Sequence, residues 1–341
     1  KNKIIIIIAI LIAVLGTVVF WQHKLKNGGL GTKDGSDAEV QVPSINGVPV
    51  SEDIAKKRPL AVVVENHTDA RPQSGLTLAD IVYETLAEGG ITRFLALYQA
   101  HEPKEIGPVR SARPYFAFLA NQWGAGFAHV GGSDTALKEI SAGKYPKLLD
   151  INEFSYGDYF VRNKDRSAPH NTYTTVQKLR DVLTKKDAED WTPVKLGAEF
   201  YTIPTEQLQT TITKITTKFF DAYYTAIFTF DPATGLYART IGGKQALDKN
   251  NQQQIYPRNV LVQFVDDYTV QLEGTTGVDL KLDRSGSAVL FTGGTKVNGK
   301  WDFADGNARY VTNEGQPMKF QPGQTWIILM PKSLSANVKW E

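Results

Sequence analysis

Cysteine is absent from all 341 residues of the chain. Disulfide bridges, thiolate zinc sites, iron–sulfur clusters and a cysteine nucleophile are therefore excluded, and so is lipid attachment to a cysteine within this sequence. The chain contains 5 histidines, and no two of them have a helical metal-ligand spacing such as i,i+4. From these absences we predict no metal site.

A strong charge of either sign is also missing, because 38 Lys and Arg residues face 36 Asp and Glu residues. The basic residues are spread along the chain without a dense block, so we predict no nucleic-acid partner. Phosphate-loop and nucleophile-elbow sequences are absent as well. The chain is 42% hydrophobic and 22% charged, which is typical of a globular protein, and its length allows two domains.

The longest hydrophobic run extends from Ile4 to Trp21 and contains no charge in 18 residues. As a helix it would span roughly 27 Å, close to the thickness of a membrane hydrocarbon core. The run is longer than the apolar part of a cleavable signal peptide. We therefore predict a single membrane helix within residues 1–22, followed by a flexible glycine-rich linker over residues 23–55. Equal numbers of flanking lysines leave the orientation open.

Two predicted domains follow the linker. Residues 56–200 alternate strand-like and helix-like segments, which predicts an α/β (α+β) domain. Residues 201–341 contain short β-branched runs separated by turn signals, which predicts a mostly antiparallel β domain.

A β-hairpin is predicted at Gly89-Gly90, because paired glycines favour a two-residue turn. With that turn Glu88 pairs with Ile91, and Glu84 pairs with Leu95. Side chains alternate between the two faces of a strand, so Glu84, Glu88 and Arg93 would share one face of the hairpin.

The strongest candidate site is centred on arginines. Arg110 and Arg113 precede a predicted helix, whose N-terminal N–H groups and dipole favour an anion. Guanidinium groups add paired donors suited to phosphate or carboxylate. The full predicted ligand-binding set is Arg71, Arg93, Arg110, Arg113, Glu65, Glu84, Glu88, His170 and Asn171. A network of structural ion pairs that holds no ligand is the alternative reading of the same residues.

Several motifs resemble a known family. They are LAVVVEN (60–66), ARPQSGL (70–76), ADIVYE (79–84), EGGITRF (88–94), IGPVRSARP (106–114), APHN (168–171), GKW (299–301) and PGQTWI (322–327). The chain resembles the YerB-like bacterial proteins, which are described as lipoproteins of uncharacterised function. The resemblance implies two domains on the extracytoplasmic side of the membrane. Since this sequence has no cysteine for a lipid, the predicted helix would replace the lipid anchor.

Three functions remain open at this point. The favoured one is binding of an anionic envelope ligand, such as a glycan linked to a polyprenyl phosphate. The second is an envelope scaffold that binds a protein partner through its β domain. The third is an enzyme resembling phosphotransferases that act on polyprenyl-diphosphate substrates. It would need a divalent cation beside the arginines, with ligands from Glu84, Glu88 or Asp134. No cofactor is predicted for the other two.

Overall fold

The computed structural model describes residues 40–194, 197–201, 210–272 and 275–341. The predicted membrane helix and most of the predicted linker lie outside these residues. Within them, no helix has both the length and the apolar character needed to cross a membrane.

The regular elements are as follows. The α-helices of the described residues are α1 (Glu52–Lys56), α2 (Pro114–Gln122), α3 (Asp134–Ser141) and α4 (Val176–Lys185). The strands before residue 201 are β1 (Gln41–Pro43), β2 (Pro49–Ser51), β3 (Leu60–Glu65), β4 (Ile81–Leu86), β5 (Thr92–Tyr98), β6 (Gly126–His129), β7 (Leu149–Asn152), β8 (Val161–Arg162), β9 (Thr172–Tyr173) and β10 (Glu199–Phe200). The later strands are β11 (Lys214–Lys218), β12 (Thr225–Asp231), β13 (Leu236–Ile241), β14 (Lys244–Gln245), β15 (Asn259–Leu272), β16 (Thr275–Lys281), β17 (Ser285–Thr292), β18 (Thr295–Ala304), β19 (Asn307–Thr312), β20 (Lys319–Phe320), β21 (Thr325–Pro331) and β22 (Val338–Trp340). Short 3₁₀ helices occur at Thr68–Ala70, Leu76–Leu78, Gly157–Tyr159, Ala222–Tyr224 and Lys332–Asn337.

Local sequence explains where the longer helices begin. Pro114 occupies the first turn of α2, where its missing N–H costs nothing. The Ser133 hydroxyl caps α3 by accepting the N–H of Ala136 at 3.3 Å, and the Thr175 hydroxyl caps α4 in the same way. The residues at their N-termini thus explain where these helices begin.

One large mixed sheet forms the centre of the molecule. Its strand order is β19-β18-β17-β15-β21-β4-β5-β3-β6-β7, and β16 pairs with β15 outside this path. The later strands join the earlier ones through the parallel pair β21–β4. Every residue of β3, β4 and β5 is buried, because the sheet is covered on both faces.

A smaller antiparallel sheet, ordered β14-β13-β12-β11-β22, packs on one face of the large sheet. Phe228 and Tyr237 of the small sheet belong to the same buried cluster as Trp326 of β21, and α4 adds Leu179 to it. The opposite face is covered by α2, with Phe116 in the second cluster. The predicted α+β character of the earlier half and the β character of the later half are therefore confirmed.

Part of the predicted linker is ordered, since β1, β2 and α1 lie within residues 41–56. Buried polar contacts hold this segment: the Ser44 hydroxyl donates to Asn46 Oδ1 at 2.7 Å, and Asn46 Nδ2 donates to Asp80 Oδ1 at 2.8 Å. The anchoring residue Asp80 lies outside the segment. The local composition therefore gave no sign that the segment is ordered.

The predicted hairpin forms, but its register differs by one residue. The Ile91 N–H donates to Glu88 O, as predicted, yet the Ala87 N–H also donates to Ile91 O. Ala87 and Glu88 thus both oppose Ile91, which is a β-bulge. Beyond it, Glu84 pairs with Phe94 rather than with Leu95.

The bulge changes which side chains share a face. Arg93 is opposite Thr85, so it projects to the face away from Glu84, whereas Glu88 remains on the side of Arg93. The prediction that Glu84 shares a face with Arg93 is wrong.

Candidate functional site

The predicted arginine site lies at the carboxyl ends of β3 and β6. Glu65 is the last residue of β3. The segment carrying Arg110 crosses this edge, because the Arg110 N–H donates to Val63 O at 2.9 Å and the Val130 N–H donates to Arg110 O at 3.0 Å. Open α/β sheets commonly bind ligands at this edge.

Glu65 organises the first group of predicted residues. Arg110 Nε lies 3.2 Å from Glu65 Oε1, and His170 Nδ1 lies 3.0 Å from Glu65 Oε2. The Glu65 side chain is only 4% exposed. Glu65 Oε2, Arg110 Nε and His170 Nδ1 have no aligned hydrogen-bond partner in the described part of the chain, so these contacts are ion pairs of imperfect geometry. Arg110 is consequently neutralised by a buried carboxylate.

Glu88 organises a second group. Arg93 Nη2 lies 3.1 Å from Glu88 Oε2, and Arg113 Nε contacts Glu88 Oε1. Burial opposes ionisation of Glu88, but the charges of Arg93 and Arg113 prevail and lower the pKa of this carboxyl group. The two arginines thus share one carboxylate, and all three side chains are at least four-fifths buried.

Glu84 belongs to neither group, because it is buried beneath the small sheet. Arg239 Nη2 donates to both Glu84 oxygens, at 3.2 and 3.0 Å, and Trp326 Nε1 donates to Oε2 at 2.8 Å. The guanidinium of Arg239 lies 4.5 Å from the centre of the Trp326 ring. Both Glu84 and Glu88, which the enzyme hypothesis offered as cation ligands, are therefore engaged by arginines.

Asn171 lies beside a separate surface pair. Its Oδ1 accepts from Arg162 Nη1 at 3.4 Å, and Arg162 Nη2 donates to Glu153 Oε1 at 2.7 Å. The structure thus distributes the predicted residues over several groups.

Arg71 differs from Arg93, Arg110 and Arg113, because it forms no ion pair with a carboxylate in the described part of the chain and its hydrogen bonds go to uncharged oxygens. Nε donates to Asn66 Oδ1 at 3.0 Å, Nη2 to Asn66 O at 3.0 Å and Nη1 to Tyr223 O at 2.9 Å. Its guanidinium also lies 5.0 Å from the ring centre of Tyr224. Burial, together with the charge of Arg239, lowers the pKa of Arg71.

A cleft of about 650 Å³ opens beside Arg71. One wall comes from the loop between β3 and β4 and the other from the segment around β14. Its lining residues are Thr68, Arg71, Pro72, Gln73, Tyr223, Ile241, Gly242, Lys244, Gln245, Ala246 and Leu247. Arg71 and Lys244 are cationic and none of the lining residues is acidic, so the cleft is positively charged.

Several of these functional candidates were missed by sequence reasoning. Tyr223 and Lys244 lie in the predicted β domain, and no pattern connected them with Arg71 about 150 residues earlier. Arg239 lies two residues from both Tyr237 and Ile241 along β13, and this period-two spacing with apolar residues was the available signal that its side chain points inward. Its partner Glu84 was assigned instead to the exposed hairpin face.

Comparison with known proteins gives a consistent result across the chain. Residues 45–189 match the family described as "Protein of unknown function (DUF3048) N-terminal domain". Residues 215–327 match the corresponding C-terminal domain.

A curated relative and a solved structure cover most of the chain. The chain is 30% identical over 306 residues to the "Putative lipoprotein YerB" of Bacillus subtilis (strain 168), covering 86% of this chain and 87% of the relative. It also matches the crystal structure of the YerB protein from Bacillus subtilis with a TM-score of 0.78 and 29% identity, covering 89% of this chain and 99% of the other. The chain belongs to the YerB-like (DUF3048) family of bacterial proteins, whose function is unknown.

Proposed function

We propose that this protein binds an anionic cell-envelope ligand, and that the ligand occupies the cleft between Arg71 and Lys244. The cleft volume of about 650 Å³ falls within the range usual for small-ligand sites. The proposal moves the binding site away from Arg110 and Arg113, because each of these guanidinium groups already contacts a carboxylate, Glu65 and Glu88 respectively.

The unbalanced charge of Arg71 is the observation that carries this proposal. A partly buried guanidinium loses hydration, and a nearby anion compensates for that loss. In the described part of the chain, no carboxylate lies within ion-pair distance of Arg71 or Lys244. Glu84 and Asp221 act on Arg71 only at longer range. An anion entering the cleft would complete this electrostatic arrangement.

The other lining groups favour a ligand that carries a sugar in addition to its phosphate or carboxylate group. Gln245 is exposed and supplies an amide that can bind hydroxyl groups. The Tyr223 side chain is 63% exposed and offers an aromatic face to a sugar ring. A phosphate-bearing envelope glycan has all of these features, so we name it as the ligand class.

We propose that the protein acts at the cell membrane, with residues 40–341 on the extracytoplasmic face and a single-pass helix in residues 1–22. The uncharged run from Ile4 to Trp21 supports the helix, and the name of the Bacillus relative supports an envelope location. Protease treatment of intact spheroplasts tests the location. Digestion of the described part is expected, and its protection until the membrane is broken would contradict the proposal.

Binding is best tested by calorimetric titration of the full chain in detergent with inorganic pyrophosphate and with polyprenyl pyrophosphate. Lys244→Glu reverses an exposed charge in the cleft wall. Reversing one charge near an anion should cost about 1–2 kcal/mol in a solvated site, or roughly tenfold in affinity. Raising the salt concentration should weaken binding further.

Lys300→Glu is the matched control, because Lys300 is an exposed lysine on β18 and does not line the cleft. It has the same net charge as the Lys244 variant and should bind like the wild type. Equal weakening in both variants would show a general charge effect and would contradict a site in the cleft. Absence of binding to either probe would favour the protein-interaction scaffold.

A further inference from the structure

Two distant histidines meet beside the Glu65 group. The rings of His67 and His170 stack with their centres 5.0 Å apart and an angle of 20° between their planes. Asp69, two residues after His67, places a carboxylate oxygen 3.6 Å from His67 Nδ1. One ligand atom from each of the three residues lies within 4.8 Å of those of the other two. The fold thus brings together two imidazoles and a carboxylate.

The contacts of each ring leave one nitrogen with a lone pair. His67 Nδ1 accepts the N–H of Asp69 at 3.2 Å, so this nitrogen carries no proton. His170 Nδ1 lies 3.0 Å from the buried Glu65 carboxylate, which favours a proton on that nitrogen and a lone pair on Nε2. His170 Nε2 can therefore offer its electron pair to a metal ion directly, whereas His67 Nδ1 must exchange its long hydrogen bond with the Asp69 N–H for the metal ion.

The spacing is close to that of a metal centre. Ligand atoms bound at about 2.0–2.2 Å in a tetrahedral site lie about 3.3 Å from one another. The present separations of up to 4.8 Å require closure by about 1.5 Å, and the stacked rings must also turn, because a bound metal ion lies in the plane of each imidazole. The Asp69 side chain is 71% exposed and the His67 side chain is 33% exposed, so both can rotate inward.

We propose that His67, Asp69 and His170 bind a divalent transition-metal ion of the zinc class. Two imidazoles and one carboxylate are a ligand set used by zinc, and three protein ligands leave a fourth position for water or for a ligand atom. This site is separate from the anion cleft and does not depend on it. The two sites are adjacent along the chain, because Thr68, which lines the cleft, lies between His67 and Asp69 in the sequence.

Glu65 has the role of a positioning residue in this site. Metal-bound histidines commonly donate their second ring N–H to a carboxylate, which fixes the ring and strengthens it as a ligand. His170 Nδ1 lies 3.0 Å from Glu65 Oε2, and a small rotation of the ring would align this ion pair as such a hydrogen bond. Arg110 contacts the other carboxylate oxygen, Oε1, and so balances the charge of Glu65 and restrains its side chain.

The test is calorimetric titration of the full chain, treated with chelator and purified in detergent, with zinc chloride. We expect one zinc ion per chain, with affinity at least tenfold lower in His67→Ala, His170→Ala and Asp69→Asn. Asp69→Asn is the variant least able to disturb folding, since its side chain is largely exposed. Glu65→Gln should bind zinc 10–100-fold more weakly, as expected for a residue that orients a ligand.

His101→Ala is the matched control, because it removes a half-exposed histidine whose partner is Asp80 and which lies outside the cluster. It should keep the affinity of the wild type. The proposal is overturned if the wild type takes up no zinc, or if Asp69→Asn and His67→Ala both bind it with unchanged affinity. Circular dichroism melting of each variant separates loss of zinc from loss of fold. Pyrophosphate binding by the same variants distinguishes failure of this site from failure of the cleft.

Discussion

Replacing Glu84 with Gln should destabilise the protein strongly, because it leaves a buried guanidinium without its counter-charge. The side chains of Glu84 and Arg239 are 1% and 2% exposed, so water does not compensate for the lost charge. Gln has nearly the same volume and can still accept the Trp326 N–H. The substitution therefore removes the charge and one acceptor oxygen with little change in side-chain volume.

The expected cost can be worked out from the surroundings of the pair. Removing one partner of a buried ion pair typically costs about 3–5 kcal/mol in free energy of unfolding. The rings of Trp326, Phe94 and Phe228 lie 4.5, 5.5 and 5.7 Å from the Arg239 guanidinium and continue to attract it. We therefore expect the lower end of the range, about 3 kcal/mol, for Glu84→Gln.

The assay is urea unfolding followed by tryptophan fluorescence, with a double-mutant cycle that adds Arg239→Met. Replacing both charges with uncharged groups should recover at least about 2 kcal/mol of the loss, because no unpaired charge stays buried. A cost below about 1 kcal/mol for Glu84→Gln, or a double variant less stable than both single variants, would refute this reasoning.

Two further predictions concern pH and the hairpin. The hydrogen bond with Asp80 raises the pKa of His101, so the stabilisation from this contact is full below about pH 6.5 and is lost as pH rises through the folded-state pKa. Because His101 is about half exposed, this contribution to the free energy of unfolding should stay under about 1 kcal/mol. The difference in stability between the wild type and His101→Ala should shrink as the pH rises, and a difference that grows with pH would contradict the prediction. In the hairpin, Gly89 and Gly90 both have positive φ, so Ala at either position should cost about 1 kcal/mol. Gly90→Ala should cost more, because its Cβ would lie 2.5 Å from the Phe220 ring, whereas a Cβ at Gly89 has no atom within 4 Å. Equal melting temperatures for the two variants would contradict this prediction.

Local signals predicted much of the secondary structure. Pro114, Ser133 and the run Leu60–Val64 carry their information within a few residues, and the corresponding helices and strand are present. The paired glycines also predicted the hairpin turn. The bulge at Ala87 could not be predicted, because both faces of the hairpin are buried and the alternation of apolar residues gives no register.

The candidate site was predicted less well, because its residues come from distant parts of the chain. The arginines of the IGPVRSARP motif and the carboxylates Glu65 and Glu88 were identified, but which carboxylate contacts which arginine only became evident from the sheet order. His67 and His170 are 103 positions apart and follow different strands, so no spacing rule applied to them. Long-range contacts of this kind depend on topology and not on local patterns.

The most direct test of the central claim is a crystal structure of the protein in complex with pyrophosphate. The account predicts a pyrophosphate in the cleft, with oxygens within hydrogen-bond distance of the Arg71 guanidinium and near the Lys244 ammonium. A pyrophosphate bound at Arg110 and Arg113 instead, with the cleft empty at saturating concentration, would contradict the account.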